Sequence, residues 1–121
     1  MPQEPLLTGT ATEYESIVAV FDSKIMALRA VLELQAAEFE DIWLGVVRGE
    51  TDAGETAVIS DDGDERPLHR VLAERGAHEA QALRFEGILP PCTAVMSLRV
   101  SAKGDHAIRI IELTGGHIEY V

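Results

Sequence analysis

The sequence has little of several residue types that would narrow its chemistry. Only one of its 121 residues is a cysteine, Cys92, so an intrachain disulfide is excluded and nothing points to an oxidising compartment. Aromatic residues make up 5% of the chain, so aliphatic side chains must form most of the core. No apolar run approaches the roughly 20 residues that span a bilayer, and Met1 to Glu15 does not resemble a signal peptide. The length and these absences predict a single cytoplasmic domain.

Positive charge is also scarce. The chain carries 21 acidic and 10 basic residues, which gives a net charge of -11. All of this net charge lies at or before Arg66, because the later residues contain equal numbers of acidic and basic side chains. A phosphate backbone and an anionic membrane surface would both be repelled by the first half. We therefore expect no nucleic-acid or membrane partner, and the acidity serves either solubility or attraction to a basic protein.

Residues that bind metals do not occur at the spacings of known sites. The four histidines are His69, His78, His106 and His117. No two of them are four residues apart and no second cysteine is present, so a zinc site is not predicted. An acidic run contains Asp61, Asp62, Asp64 and Glu65. The run lacks the distal glutamate of a calcium loop, so we interpret it as a solvated turn and as a candidate surface for a basic partner.

No catalytic motif is present either. The sequence contains no G-x-S-x-G, no P-loop and no G-x-G-x-x-G. A nucleophilic Cys92 would need a positioned base, and His69 and His78 are the candidates for it. The alternative is that Cys92 is a purely structural thiol. We therefore predict a protein that is not an enzyme, with no catalytic residue, no cofactor and no metal.

The start and the end of the chain show the same order of apolar patterns. Near the start, the β-branched run Ser16 to Phe21 predicts a strand, and Asp22 or Ser23 can cap a following helix. That helix has an apolar stripe at helical spacing, made of Ile25, Leu28 and Leu32 with Val31 beside them. A second strand is predicted over Ile42 to Arg48. The alternative is a single long helix from Tyr14 to Leu34, because apolar residues keep helical spacing there too.

Near the end, the alternating run Ala94 to Val100 predicts a strand, and Ser101 can cap the final helix. The apolar stripe of that helix is Ala107, Ile110, Ile111 and Thr114. Two glycines end it, and a closing strand follows at Ile118 and Tyr120.

The segment between these two patterns is predicted to carry its own structure. Thr56 to Ser60 is expected to form a short strand in a hairpin with the strand before it. Two short helices are expected after the acidic run, over Leu68 to Glu74 and His78 to Glu86, each ended by a glycine.

The repeated order predicts a ferredoxin-like plait of the α+β class. Two split β-α-β units would share a four-stranded antiparallel sheet, with both helices on one face. We expect a flexible lead over residues 1–12 and one domain over 13–121. Residues 49–91 would be an insertion of one strand and two short helices.

Trp43, the only tryptophan, is predicted to share one face of the second strand with Val47. In a plait this strand lies at a sheet edge, and exposed edges attract pairing partners. Trp43, Val47 and Arg48 are therefore candidates for a homodimer or partner interface. The alternative is that the inserted segment covers Trp43.

The first pattern resembles the opening of bacterial general-stress proteins of the 17M type. The shared positions are Val20, Phe21, Asp22, Ala27, Arg29, Ala30, Val31, Leu34, Ala36, Ala37 and Phe39. The second half is similar at Phe85, Glu86, Gly87, Val95 and Val100. Many relatives carry a glycine-rich apolar zipper where this chain has the polar residues 49–65, so the membrane association that the zipper implies is not expected. The resemblance implies a plait and no defined activity.

Three hypotheses for the function follow. The first is a non-enzymatic interaction domain related to stress-response plaits, which we expect to be a homodimer. The second is an acidic inhibitor or immunity-type protein that neutralises a basic toxin or enzyme. The third is a sensor that binds a small molecule between the sheet and the inserted segment.

Overall fold

The computed structural model describes residues 15–51, 54–76 and 89–120. These residues form a six-stranded antiparallel sheet with strand order β4-β3-β2-β5-β1-β6, and three helices. The elements are β1 (Glu15–Phe21), α1 (Lys24–Ala36), β2 (Ile42–Glu50), β3 (Thr56–Ser60), β4 (Glu65–Pro67), α2 (Leu68–Glu74), β5 (Ala94–Val100), α3 (Gly104–Leu113) and β6 (His117–Tyr120). The α+β class is confirmed. A four-stranded sheet and one inserted strand were predicted, and the sheet has six strands because the inserted segment contributes β4 as well as the expected β3.

Two predictions lie outside the described residues, namely the flexible lead over 1–12 and the short helix over 78–86. The first inserted helix has the bounds that its sequence pattern predicts, Leu68 to Glu74. None of the helices within the described residues is long and apolar enough to cross a membrane.

The alternative of one long helix at the start is wrong, because Ser16 to Phe21 lies in β1. This strand pairs with β5 on one side and with β6 on the other. Val18, Val20 and their neighbours favour the extended backbone, where branched side chains pack well. Ser23 then ends the extended stretch. Its hydroxyl oxygen accepts a hydrogen bond from the Met26 amide at 3.3 Å and so caps α1.

The sheet separates two hydrophobic cores. The first lies between the sheet and helices α1 and α3, where β1 and β5 contribute alternate side chains such as Ile17, Phe21 and Met96. The second lies under α2, which packs Leu68 and Leu72 on the opposite face of the sheet. As predicted, the two long helices share one face of the sheet. The inserted helix α2 covers the other face.

The orientation of α1 differs from the prediction. Its buried residues are Ala27, Ala30 and Leu34. The predicted core stripe faces outward instead, with Ile25, Leu28 and Leu32 exposed to 76%, 40% and 67%. Both sets have the same three- and four-residue spacing, so periodicity cannot distinguish them. The small alanines let the helix axis lie close to the sheet, and the larger side chains are left outside.

The cap of α3 also differs from the prediction. The residue at its N-cap is Lys103, in the left-handed region at φ 63°, and it makes no side-chain capping bond. Ser101 lies before this turn and does not cap the helix. The predicted apolar stripe is confirmed in its centre, because Ala107 and Ile111 are fully buried.

The position of β2 in the sheet overturns the edge-strand prediction. Residues Gly45 to Glu50 pair with β3, and Ile42 to Val46 pair with β5 on the other side. The inserted hairpin therefore occupies the edge that was expected to recruit a partner. Only the first three residues of β2 extend beyond the end of the β3 pairing.

A single arginine anchors the end of α2 to the sheet. The Nε of Arg75 donates to the hydroxyl of Ser97, a fully buried residue of β5, at 2.8 Å. Its Nη2 lies 2.8 Å from the carbonyl oxygen and 2.9 Å from the carboxylate of Asp41. The guanidinium thus joins α2, β5 and the residue just before β2.

Candidate functional site

The turn between β3 and β4, residues 61–64, is held by a compact set of hydrogen bonds. The Ser60 amide donates to the Asp64 carbonyl at 3.0 Å, and the Gly63 amide donates to the Ser60 carbonyl at 2.9 Å. Gly63 has φ 86°, a conformation that glycine adopts without steric cost. The three aspartates of this acidic turn, Asp61, Asp62 and Asp64, are all exposed. The backbone therefore fixes the turn while the carboxylates remain in solvent.

Asp62 is the aspartate with the most defined surroundings. One of its carboxylate oxygens accepts hydrogen bonds from the Ser60 hydroxyl at 2.6 Å and from the Asp64 amide at 3.0 Å. These bonds stabilise the ionised form, so they lower the pKa of Asp62 below its usual value.

Trp43 lies on β2 next to this turn, and its indole extends along the strand over Gly45. A Cβ atom added at Gly45 would come within 2.5 Å of Trp43 Cη2. The ring can occupy this position only because glycine has no side chain. Trp43 is partly buried, and it packs against the second core from the α2 side of the sheet.

Trp43 and the acidic turn line one cavity of about 370 Å³, which we call the acidic groove. Its lining residues are Ile42, Trp43, Leu44, Val58, Ser60, Asp61, Asp62, Asp64, Arg66 and Val71. The groove is formed where β2 extends past the end of β3. An indole and three carboxylates therefore share one opening at the first residues of β2.

The basic side chains near the groove are already paired. Arg66 of β4 forms an ion pair with Glu74 of α2. The hydrogen bond from Arg66 to Glu74, with the attraction between their charges, raises the pKa of Arg66 and lowers the pKa of Glu74. Lys24, in the first turn of α1, lies 3.5 Å from a carboxylate oxygen of Asp61. Both pairs are solvent-exposed and therefore weak, so an incoming cation can compete with them.

The predicted interface residues do not all meet at this site. Trp43 lines the groove, whereas Val47 is buried in the second core at 2% exposure. Arg48 lies beyond it and forms an ion pair with Glu65 of β4. Glu65, predicted with the acidic run, therefore belongs to this second contact and lies away from the groove. Sequence reasoning also missed Val58 and Val71, which line the groove, because their place depends on the hairpin and on α2.

The remaining chemical candidates show no assembled site. Among the described residues, no group of three or more His, Cys, Asp or Glu side chains is placed to hold a metal ion. Cys92 is exposed and has φ 74°, and its amide donates to the Val47 carbonyl at 2.8 Å. His106 lies 6.1 Å from the ring of Phe39, centroid to centroid, on the other side of the sheet. The acidic groove is thus the strongest candidate site.

No family model, curated protein or solved structure significantly matches this chain. The functional argument therefore depends on the chemistry of the groove itself.

Proposed function

We propose that this protein is a non-enzymatic interaction domain that binds a basic segment of a partner protein in its acidic groove. The observation that carries the proposal is the shared opening of Trp43 and the three aspartates of the acidic turn. The proposal includes the neutralisation of a basic toxin or enzyme as one biological use of the same chemistry.

The groove suits a guanidinium group in particular. A planar cation stacks on the face of an indole, and the ring quadrupole attracts it. Carboxylates such as Asp61 and Asp64 can accept its N–H groups, and charge-assisted bonds of this kind are stronger than neutral ones. An arginine side chain between Trp43 and the acidic turn would make both contacts at once.

The distribution of charge supports a protein partner over a nucleic acid. The residues up to Arg66 carry the whole net charge of -11, and the groove is built almost entirely from them. Such a field attracts a basic protein and speeds the encounter, and it repels phosphate.

At the level of the fold, we propose that strands β2, β5, β1 and β6 with α1 and α3 are a ferredoxin-like plait made of two split β-α-β units. Their adjacent positions in the sheet and the helices on one face support this proposal. The β3–β4 hairpin and α2 are then the insertion that builds the groove. The relationship to stress-response proteins is proposed from the sequence resemblance alone.

A small-molecule sensor is the second candidate. A volume of about 370 Å³ lies at the low end of ligand pockets, which span roughly 300–1,000 Å³. An organic cation of arginine size would fit the same chemistry, and free arginine is the probe that separates the two functions.

The test is a titration of the intrinsic fluorescence of Trp43, the only tryptophan, with an arginine-rich peptide and with a lysine-rich peptide of equal length. We expect saturable quenching, tighter binding of the arginine peptide and steep weakening by salt. The variant Asp61→Asn/Asp64→Asn should weaken binding about five-fold, because each exposed ion contact contributes about 0.5 kcal/mol. The control Asp105→Asn/Glu112→Gln makes the same change in net charge at exposed positions of α3, on the opposite face of the sheet from α2, and should have less than half that effect.

Two outcomes would contradict the proposal. Equal losses of affinity in both double variants would mean that peptide binding depends only on the overall charge of the protein. Binding without any change in Trp43 fluorescence would place it elsewhere. Gly45→Ala provides a further check. The added methyl group displaces the indole, so it should weaken binding of the arginine peptide more than binding of the lysine peptide. Saturable binding of free arginine at similar affinity would favour the sensor.

A further inference from the structure

The outward face of α1 carries three of the four large exposed apolar side chains of the described residues. Ile25, Leu28 and Leu32 form this outer stripe, and they are 76%, 40% and 67% exposed. They lie opposite the buried residues Ala27, Ala30 and Leu34. α1 is therefore apolar on both sides, which is typical of a helix that is covered on both sides.

The neighbouring helix α3 shows what an uncovered face looks like in the same protein. Its exposed positions include Asp105, Arg109 and Glu112, with Leu113 as a single exposed leucine at its last turn. Scattered exposed leucines are ordinary on protein surfaces, whereas a continuous stripe marks a contact site. This contrast indicates that a partner covers the outward face of α1 and not that of α3.

We propose that the outer stripe binds the outer stripe of a second copy of this chain, with the two α1 helices antiparallel. In a two-fold contact the same surface must complement itself. An antiparallel pairing that places Leu28 against Leu32 of the second copy brings together the three apolar side chains of each helix. The same register places Arg29 on the same flank as Glu33 of the second copy, about 3 Å apart along the helix axis.

The charges on α1 favour this arrangement. Arg29 and Glu33 are exposed and form no ion pair within the described part of the chain. The same register also places the two Arg29 side chains about 3 Å apart along the axis. Two symmetric Arg29–Glu33 contacts would offset the repulsion between them. The charged residues of α1 are Lys24, Arg29 and Glu33, a net charge of +1 in a chain of net charge -11. Two copies that approach through α1 therefore avoid the acidic surface that would make them repel each other.

The size of the surface sets the expected strength. A helix of 13 residues is about 20 Å long, so one helix face buries less than the ~800 Å² per partner of a standard stable interface. We expect a reversible dimer with a dissociation constant in the micromolar range. Because apolar contact drives dimerisation, high salt should leave the dimer intact. The same salt should weaken binding of a basic partner in the acidic groove. This inference does not depend on the proposed function.

The experiment is sedimentation velocity on the full chain over a wide concentration range, and the expected result is a monomer–dimer equilibrium. Leu32→Lys should raise the dissociation constant of the dimer at least ten-fold. Leu113→Lys is the matched control, since it makes the same change at a leucine of α3 that is at least as exposed, and it should leave the equilibrium unchanged. Circular dichroism and thermal unfolding of both variants establish that each is folded.

Charge exchange tests the antiparallel geometry. Arg29→Glu and Glu33→Arg should each weaken the dimer several-fold, and the double variant Arg29→Glu/Glu33→Arg should restore it because both symmetric contacts are rebuilt with exchanged signs. A strict monomer at millimolar concentration would overturn the proposal. So would equal effects of Leu32→Lys and Leu113→Lys, or a double variant that adds the two losses instead of restoring the dimer.

Discussion

The two faces of the sheet are packed by different means. On the face of α1 and α3, the buried side chains are aliphatic or aromatic, and two alanines bring α1 close to the strands. On the face of α2, a smaller apolar core is supplemented by the bonds of Arg75 to Ser97 and Asp41. Among the described residues, the short helix leaves the part beside Trp43 uncovered, and the acidic groove lies there. The groove also reaches Ile42 and Leu44 of the first core, so the candidate binding site lies at the end of β2 where the two cores meet.

The largest expected effect tests the packing of α1. Leu34→Ala should lower the free energy of unfolding by about 3 kcal/mol, because it removes a fully buried side chain and leaves a cavity. Leu32→Ala, two residues away, should change it by less than about 0.5 kcal/mol. Urea denaturation at low protein concentration, where any dimer is dissociated, measures both. A larger loss for Leu32 would mean that α1 is rotated toward the orientation expected from the sequence.

This reversal shows which part of the fold the sequence can predict. Strands β1, β3 and β5 and helix α2 follow from local patterns, because branched apolar runs and stop signals specify them without reference to neighbours. The face that α1 buries does not follow, since Ala27 and Leu34 have the same spacing as Ile25 and Leu32. Only the distance between helix and sheet decides between the two sets, and that distance is a tertiary property.

The candidate site was predictable in its parts and not in its assembly. Trp43 and the aspartates of the acidic turn were both singled out, for separate reasons. Their proximity depends on the hairpin of β3 with β4, which turns the chain back beside β2. The edge position of β2 was wrong for the same reason, because β3 adds to the sheet there. Likewise, Ser101 is a good capping residue by type, but the left-handed backbone at Lys103 starts α3 two residues later.

A smaller effect tests the polar anchor of the other face. Arg75→Met should lower the free energy of unfolding by about 2 kcal/mol, because the buried Ser97 hydroxyl loses its partner and has no access to water. Arg70→Met is the control on the same helix, and it should cost less than about 0.5 kcal/mol because Arg70 is exposed. Denaturant unfolding provides the values. Equal effects of the two variants would show that the anchor adds nothing to the apolar contacts of α2.

The smallest effect concerns the acidic turn. The pKa of Asp62 is lowered in the folded protein, so its hydrogen bonds stabilise the fold above the pKa of the unfolded chain. This contribution is lost as the pH falls through the lower, folded value. Ser60→Ala removes the strongest of these bonds and should raise the pKa of Asp62 toward its ordinary value. NMR titration of the Asp62 carboxyl carbon measures the change.

Ser101→Ala is the reference for that titration. Ser101 is an exposed serine on the loop before α3, so its substitution should leave the pKa of Asp62 unchanged. If Ser60→Ala also leaves the midpoint in place, the Asp64 amide alone is sufficient to hold the carboxylate.

The chain contains one tryptophan and one cysteine, and both are attached to the same pair of strands. The Cys92 amide is bonded to β2 at Val47, four residues beyond Trp43 on that strand, and its thiol is exposed. A dye attached to this thiol would accept excitation energy from the indole across a short span fixed by the sheet. The protein therefore has a natural fluorescence donor, Trp43, and a single site for dye attachment, Cys92. Small movements of the indole over Gly45 would change the efficiency of energy transfer, and no new residue has to be introduced to measure them.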